Sequence, residues 1–160
     1  MNMLGMTVDM ANEGMHPGGP INILLVDDDE GDAILIGEAL ASERDDLKLH
    51  VVKDGVEAMA FLRHERPFLD APRPALILLD LNMPRKNGYE VMAEVRADPE
   101  LRTIPVVILS TSAQDRDVIN SYRLQANCFV TKPPSFEQFL HVMHSIRSFW
   151  LNVATLPSRA

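Results

Sequence analysis

A chain of 160 residues with 23 acidic against 15 basic side chains, net charge −8, has room for one domain with a full core. That charge argues against nucleic acid as a partner, since such binding rests on Lys and Arg neutralising phosphates; the single cysteine, Cys128, excludes an intramolecular disulfide and fits a reducing compartment. No apolar run approaches the ~20 residues of a membrane helix, and Met1 through Glu43 contain neither Lys nor Arg nor a secretory apolar stretch, so a cytoplasmic protein without membrane attachment is expected.

Residues 1–19 carry Met1, Met3, Met6, Met10 and Met15 without any period and lead into Pro17-Gly18-Gly19-Pro20, which predicts a flexible tail. From Ile21 onward, short apolar runs alternate with helical patterns. Residues 21–26 read as a strand buried on both faces that runs into Asp27, Asp28 and Asp29. A helix is expected over 30–42, a strand over 47–52 and a helix over 54–66, the last opened by Asp54 with Glu57 at capping-box spacing. After the Pro-rich connection Pro67–Pro74, the strand 75–79 ends on Asp80-Leu81-Asn82-Met83-Pro84. A helix over 88–97 follows, signed by Asn87 and Glu90. The strand 105–110 then ends in Ser110-Thr111-Ser112, with a helix over 113–125 beyond it. Strand 127–131 ends on Lys132-Pro133, and a helix over 135–151 starts at Ser135 with Gln138. This alternation implies βαβ units, right-handed crossovers and an α/β domain with helices on both faces of a parallel sheet. Five strands suit the doubly wound order 2-1-3-4-5. A domain over 20–148 and a C-terminal extension over 149–160 follow.

In such sheets function gathers at the carboxyl ends of the strands, at the switch point between the first and third. Those two strands end in Asp27–Asp29 and in Asp80. Two like charges ~4 Å apart repel by roughly 4 kcal/mol at an effective dielectric near 20, which a fold tolerates by protonating one group or by binding a cation. Hard oxygen ligands in a small acidic cluster suit magnesium, which also accepts phosphate as a co-ligand. Ser110 adds a hydroxyl at the end of the fourth strand and Lys132 an ammonium at the end of the fifth. A carboxylate nucleophile, a divalent ion, a hydroxyl and an ammonium describe a site for a phosphoryl group.

At these residues the chain resembles the receiver domain of two-component response regulators, with the CheY-like, flavodoxin-like fold, across about 20–150. The matching pieces are Val26-Asp27-Asp28, Leu79-Asp80-Leu81-Asn82-Met83-Pro84 with Asn87-Gly88, Ile104-Pro105-Val106 through Ser110, and Thr131-Lys132-Pro133. The resemblance implies that Asp80 is the phosphoacceptor and attacks a phosphohistidine on a sensor histidine kinase. It implies that Asp28 and Asp80 ligate Mg2+ directly, Asp27 largely through water, and Asn82 through its backbone carbonyl. Ser110 would meet the phosphoryl oxygen, Lys132 would pair with the phosphate, and Phe129 would be the aromatic that swings inward. It further implies a cis Lys132–Pro133 bond that turns the ammonium toward Asp80. Two departures stand out: Phe129 occupies a position often held by Tyr, and Thr111 one often held by Ala or Gly. Ala71-Pro72-Arg73-Pro74, Ala126-Asn127-Cys128-Phe129, Ser148-Phe149-Trp150-Leu151 and Thr155-Leu156-Pro157 resemble single-domain regulators paired with bacterial phytochromes. Such a protein signals rather than turning over a substrate. The rival reading is an aspartyl-phosphate hydrolase of the haloacid-dehalogenase type, but its nucleophile usually lies near the first strand in an Asp-x-Asp motif, whereas Asp80 lies on the third with Asn82 two residues on.

Other residues read as ordinary structure. Asp29 is a cap or first-turn acid, His64-Glu65 a solvated helix end, and His141 with His144 a pair without a third ligand. Cys128 reads as a small buried hydrophobe. With the core complete near Ile146, the surplus apolar residues Phe149, Trp150, Leu151 and Val153 are expected to form a patch that makes a homodimer.

Overall fold

The computed structural model describes residues 19–41, 46–112 and 114–157; apart from Gly19, the expected N-terminal tail lies outside them. Five strands, β1 (Ile21–Val26), β2 (Leu47–Val52), β3 (Leu76–Leu79), β4 (Val106–Ser110) and β5 (Cys128–Thr131), form one parallel sheet in the order β2-β1-β3-β4-β5. The helices α1 (Glu30–Ala41), α2 (Gly55–Leu62), α3 (Gly88–Ala97), α4 (Asp115–Arg123) and α5 (Phe136–Arg147) are the crossovers and close the chain. Among the described residues no helix is long and apolar enough to cross a membrane.

Alternation along the strands divides the core in two. Leu24, Val26, Ile77, Leu79, Val106 and Ile108 pack with α2 and α3 residues such as Met59, Phe61, Val91 and Met92. Ile23, Leu25, Leu76, Leu78, Val107 and Leu109 pack on the other side with Ile36 and Leu40 of α1 and Phe139, Met143 and Ile146 of α5. Burial on both faces explains why β1, β3 and β4 are apolar runs rather than alternating ones.

Local signals set the helix starts. Asp54, Asn87 and Ser135 each accept the backbone N–H three residues on, and at Asn87 the reciprocal bond from its own N–H to Glu90 completes the box. Two helices are shorter than expected: α4 runs only Asp115–Arg123 rather than 113–125, and α2 stops at Leu62 rather than 66. Arg63 N–H closes back on Met59 O, His64 takes a left-handed φ of 55°, and Pro67 disfavours helical geometry at Arg66.

The C-terminal helix differs in kind. After Arg147 the chain continues as a π-helical turn, Ser148–Val153, whose exit is marked by Ala154 N–H bonding Phe149 O, five residues back. Ile146 and Leu151 are five apart, off the three-or-four spacing of an α-helical stripe. The wider turn restores Leu151 to the core side, where it is buried with Met143 and Ile146. The core therefore extends past Ile146. Leu151→Ala is expected to lower unfolding free energy by about 2–4 kcal/mol, whereas Phe149→Ala, half-exposed, changes it by under about 0.5 kcal/mol. Denaturant unfolding of both variants checks this.

Candidate functional site

The strands end in register, so the residues that follow them converge. Val26 pairs with Leu79, and Ser110 with Thr131. Each ladder runs one step further: Asp80 N–H donates to Val26 O at 2.9 Å, Asp27 N–H to Val52 O at 3.0 Å, and Lys132 N–H to Ser110 O at 2.7 Å. By parity Asp27, Asp80 and Lys132 continue the α1/α5 series of their strands, while Ser110 and Phe129 continue the series that packs toward α2 and α3. The buried Lys132 ammonium lies 2.7 Å from Asp27 Oδ2, 3.0 Å from Asp32 Oδ2 and 3.5 Å from Asp80 Oδ2. It reaches them through a trans Lys132–Pro133 bond, not the expected cis one; the cis peptide among the described residues is Arg66–Pro67. The N–H of Lys132 stays in the ladder and its four-carbon stem spans the gap.

Asp27, Asp28 and Asp80 each offer an oxygen such that the three lie within 4.8 Å of one another. Two oxygens on one Mg2+ at 2.0–2.1 Å are at most about 4.2 Å apart, so a small side-chain rotation closes the set. The donors are all hard oxygens and fit a cation of that class. Burial foremost, with the neighbouring Asp27 and Asp28 charges, pushes the Asp80 carboxyl up to about 6, against the pull of Lys132. Burial likewise raises Asp27, opposed by the Lys132 ammonium and the Asp29 N–H. Lys132, desolvated yet ringed by carboxylates, is held above its ordinary value.

The loop after Asp80 is set from below. Gly88 N–H donates to Leu81 O at 2.9 Å, and a Cβ at Gly88 would lie 2.4 Å from Asp80 O. Helix α3 can start this close to Asp80 only on glycine. Asn82 N–H in turn donates to Asp80 Oδ1 at 3.3 Å, and Asn82 itself is exposed.

Ser110 is fully buried, and its Oγ accepts from Ser112 N–H at 3.2 Å. Ser112 Oγ donates to Asp117 Oδ2 at 2.5 Å, and Tyr89 donates to the other oxygen of Asp117. Phe129 is half-buried against the α2/α3 core, with its N–H 3.3 Å from the Tyr122 hydroxyl. Of the residues singled out from sequence as one site, Asp27, Asp28, Asp80 and Lys132 meet directly and Asn82 is tied to Asp80 by its N–H, whereas Ser110 ends the neighbouring strand and Phe129 lies inside β5 beside Ile108. Sequence reasoning missed Asp32, whose signal is an acid in the first turn of the helix that directly follows the Asp27 strand end. It also missed Asp117, which reads simply as a helix-start acid.

Ionising Asp80 works against the metal-free fold. Below about pH 4 the carboxyl is protonated folded and unfolded alike; between about 4 and 6 the folded chain keeps a proton that the unfolded chain releases, so stability falls as pH rises. The loss, complete above about pH 6, is at most about 3 kcal/mol. Asp80→Asn keeps Lys132 paired with Asp27 and Asp32, so in EDTA it should melt above wild type at pH 8, with the advantage shrinking toward pH 4.5. Melting curves at the two pH values check this; a variant less stable at pH 8 would mean that the Lys132–Asp80 attraction outweighs the repulsion.

Comparison with known proteins extends the geometry. The response regulator receiver domain model matches residues 23–144. Response regulator Rcp1 of Synechocystis sp. is 45% identical over 139 residues, covering 87% of this chain and 95% of Rcp1. The structure of the phosphorylated cyanobacterial phytochrome response regulator RcpA aligns with a TM-score of 0.84 at 48% identity, covering 87% of this chain and 99% of that one. The Mn(2+)-bound form of Rcp1 aligns with the same TM-score, 0.84, at 45% identity and covers 87% and 100% of the two chains. With the sheet order, the acidic cluster and the strand-end lysine already in place, this chain belongs to the response regulator receiver domain family.

Proposed function

We propose that the protein is a single-domain response regulator that takes a phosphoryl group from a sensor histidine kinase onto Asp80. The observation that carries the reading is the half-buried Asp80 carboxylate with a buried ammonium 3.5 Å away and two further carboxylates beside it. A carboxyl held near 6 is mostly ionised at neutral pH, so Asp80 is available as a nucleophile. Its oxygen attacks phosphorus as the phosphorus–nitrogen bond of the phosphohistidine breaks; the electron pair stays on the imidazole, and an acyl phosphate forms on Asp80. Asp27, Asp28 and Asp80, with the Asn82 carbonyl, would hold Mg2+, which offsets charge on the phosphoryl oxygens. Lys132 neutralises a further oxygen from the fixed position set by Asp27 and Asp32. Ser110, released from Ser112 N–H, donates to another, and Phe129 follows the space that Ser110 vacates.

Similarity to RcpA, to response regulator RPA3017 "in red light signaling" at 31% identity and to the bacteriophytochrome response regulator AtBRR at 35% identity supports a phytochrome-type kinase as phosphoryl donor. Signal output then comes through protein contact or onward phosphotransfer, in the cytoplasm. With Mg2+ and acetyl phosphate, Asp80 should take up one phosphoryl group per chain, and Asp80→Asn should lose labelling by more than about a hundredfold. Peptide mapping that places the label elsewhere, or repeated turnover of a phosphate monoester as in a haloacid-dehalogenase-type hydrolase, would sink the reading.

The extension supports a homodimer by a smaller surface than the sequence suggests. Leu151 is buried and Trp150 half-buried within the protein's own core, and the Phe149 ring meets Trp150 edge-on at 5.2 Å. Phe149 and Val153 remain 51% and 70% exposed, with Phe136 at the start of α5 56% exposed. Two-fold contact through Phe149 and Val153 would bury them. Light scattering should give a dimer for wild type and a monomer for Phe149→Glu; a wild type monomeric at high micromolar concentration, phosphorylated or not, excludes it.

A further inference from the structure

The segment Leu81–Asn87 joins Asp80 to α3 and carries Asn82. Its ends are fixed by the Gly88–Leu81 bond and by the Asn87 cap. Its middle is tied to a different part of the chain. Arg85 donates through Nε at 2.8 Å and Nη2 at 2.5 Å to Oδ2 of Asp54, the N-cap of α2. Beside this pair Gly55 N–H donates to Lys86 O at 2.9 Å, and a Cβ at Gly55 would lie only 2.3 Å from that oxygen. The two segments are pressed together here.

Both members of the pair are more specialised than their local structure requires. Arg85 has φ of 65°, a left-handed conformation that glycine adopts freely and long side chains rarely do. A glycine would make the turn more easily, but it would lack the guanidinium. Asp54 caps α2 through Oδ1, which accepts Glu57 N–H at 2.8 Å, and asparagine caps equally well. Its second oxygen serves Arg85. The Asp54 side chain is only 7% exposed; burial alone would raise its carboxyl, but the Glu57 N–H and the Arg85 guanidinium hold it below the ordinary range.

We propose that the Arg85–Asp54 ion pair is a latch that positions the Asn82 segment against Asp80, so that two residues outside the ligand set govern divalent-cation affinity and the rate of phosphoryl acceptance. The proposal rests on the phosphoacceptor reading above. Arg85 lies three residues after Asn82 and one before the residue whose carbonyl Gly55 holds. Freeing it leaves 82–85 fixed only at its two ends, and the Asn82 carbonyl then has to be ordered anew each time a cation binds. Arg85 and Asp54 are positioning residues, not catalytic ones.

The test compares the full chain with Arg85→Gly, Asp54→Asn and the double variant. Mg2+ affinity is read by calorimetric titration, labelling rate with acetyl phosphate at sub-saturating Mg2+, and melting temperature in EDTA. Each single variant should weaken Mg2+ binding roughly tenfold, the scale of supports just outside a metal's ligands, and slow labelling in step. The double variant should be no weaker than either single one. In EDTA, the relief of the left-handed backbone by glycine should offset much of the cost of leaving the Asp54 carboxylate without its guanidinium, so Arg85→Gly should lose little in melting temperature while Mg2+ affinity falls; a purely structural role would instead lower melting and leave Mg2+ affinity alone. Arg85→Lys, which keeps the charge without the two-point contact, should fall between. Affinities within twofold of wild type for both single variants, or losses that simply add in the double variant, would overturn the latch. If wild type binds Mg2+ and labels at Asp80 while the variants match it, only the latch fails; if wild type does neither, the phosphoacceptor reading fails and takes the latch with it.

Discussion

One buried ammonium organises the functional edge of this protein. Lys132 sits at the end of β5, yet its nearest partners lie at the end of β1 and in the first turn of α1, with Asp80 of β3 just beyond hydrogen-bonding range. Without it the fold would bring Asp27 and Asp80 together with nothing of opposite sign between them. A buried charge is tolerated only when paired, so the lysine and the carboxylates justify one another's burial. Three carboxylates against one ammonium leave a net negative charge that still favours a cation. The built-in ammonium makes the crowded carboxylates tolerable, and the remaining negative charge suits a cation.

The edge is also wired outward. Asp32 ties Lys132 to α1, and Ser110 is linked through Ser112 and Asp117 to α4 and through Tyr89 to α3. Arg96 reinforces the opposite end of the sheet by donating to the carbonyls of Arg102 and Ile104 and to the Asn127 side chain, whose oxygen also accepts Val106 N–H. One end of the sheet is thus fastened by a guanidinium on neutral acceptors, and the other is held by opposed charges.

The sequence made the sheet legible because parallel strands buried on both faces have no competing interpretation as surface elements; β1, β2 and α3 match their expected bounds, and every strand ends at its expected residue. The residues of the acidic edge were legible for the same reason, since a charge at the end of an apolar run is hard to explain otherwise. What could not be read was side-chain reach. Nothing in the spacing of Asp32 and Lys132, or of Asp54 and Arg85, says that they meet, because those contacts depend on how helices settle on the sheet. The π turn was hidden likewise. Phe149, Trp150, Leu151 and Val153 look alike as apolar surplus, and only the five-residue step from Ile146 separates the buried Leu151 from its exposed neighbours.

The division of the core into two layers bears on how such proteins diversify. Neighbouring residues of one strand belong to different layers, so a substitution in one is sensed mainly by the helices of that side. Asp27, Asp80 and Lys132 follow the α1/α5 layer, whereas Ser110 and Phe129 follow the other. After gene duplication, one copy can therefore acquire new neighbours on the α2–α4 side while the layer behind its acidic edge is inherited intact. Drift on the α1/α5 side is constrained twice, by packing and by the lysine that it must keep in place. Paralogues built on this plan should accordingly differ more in whom they address than in how they are charged.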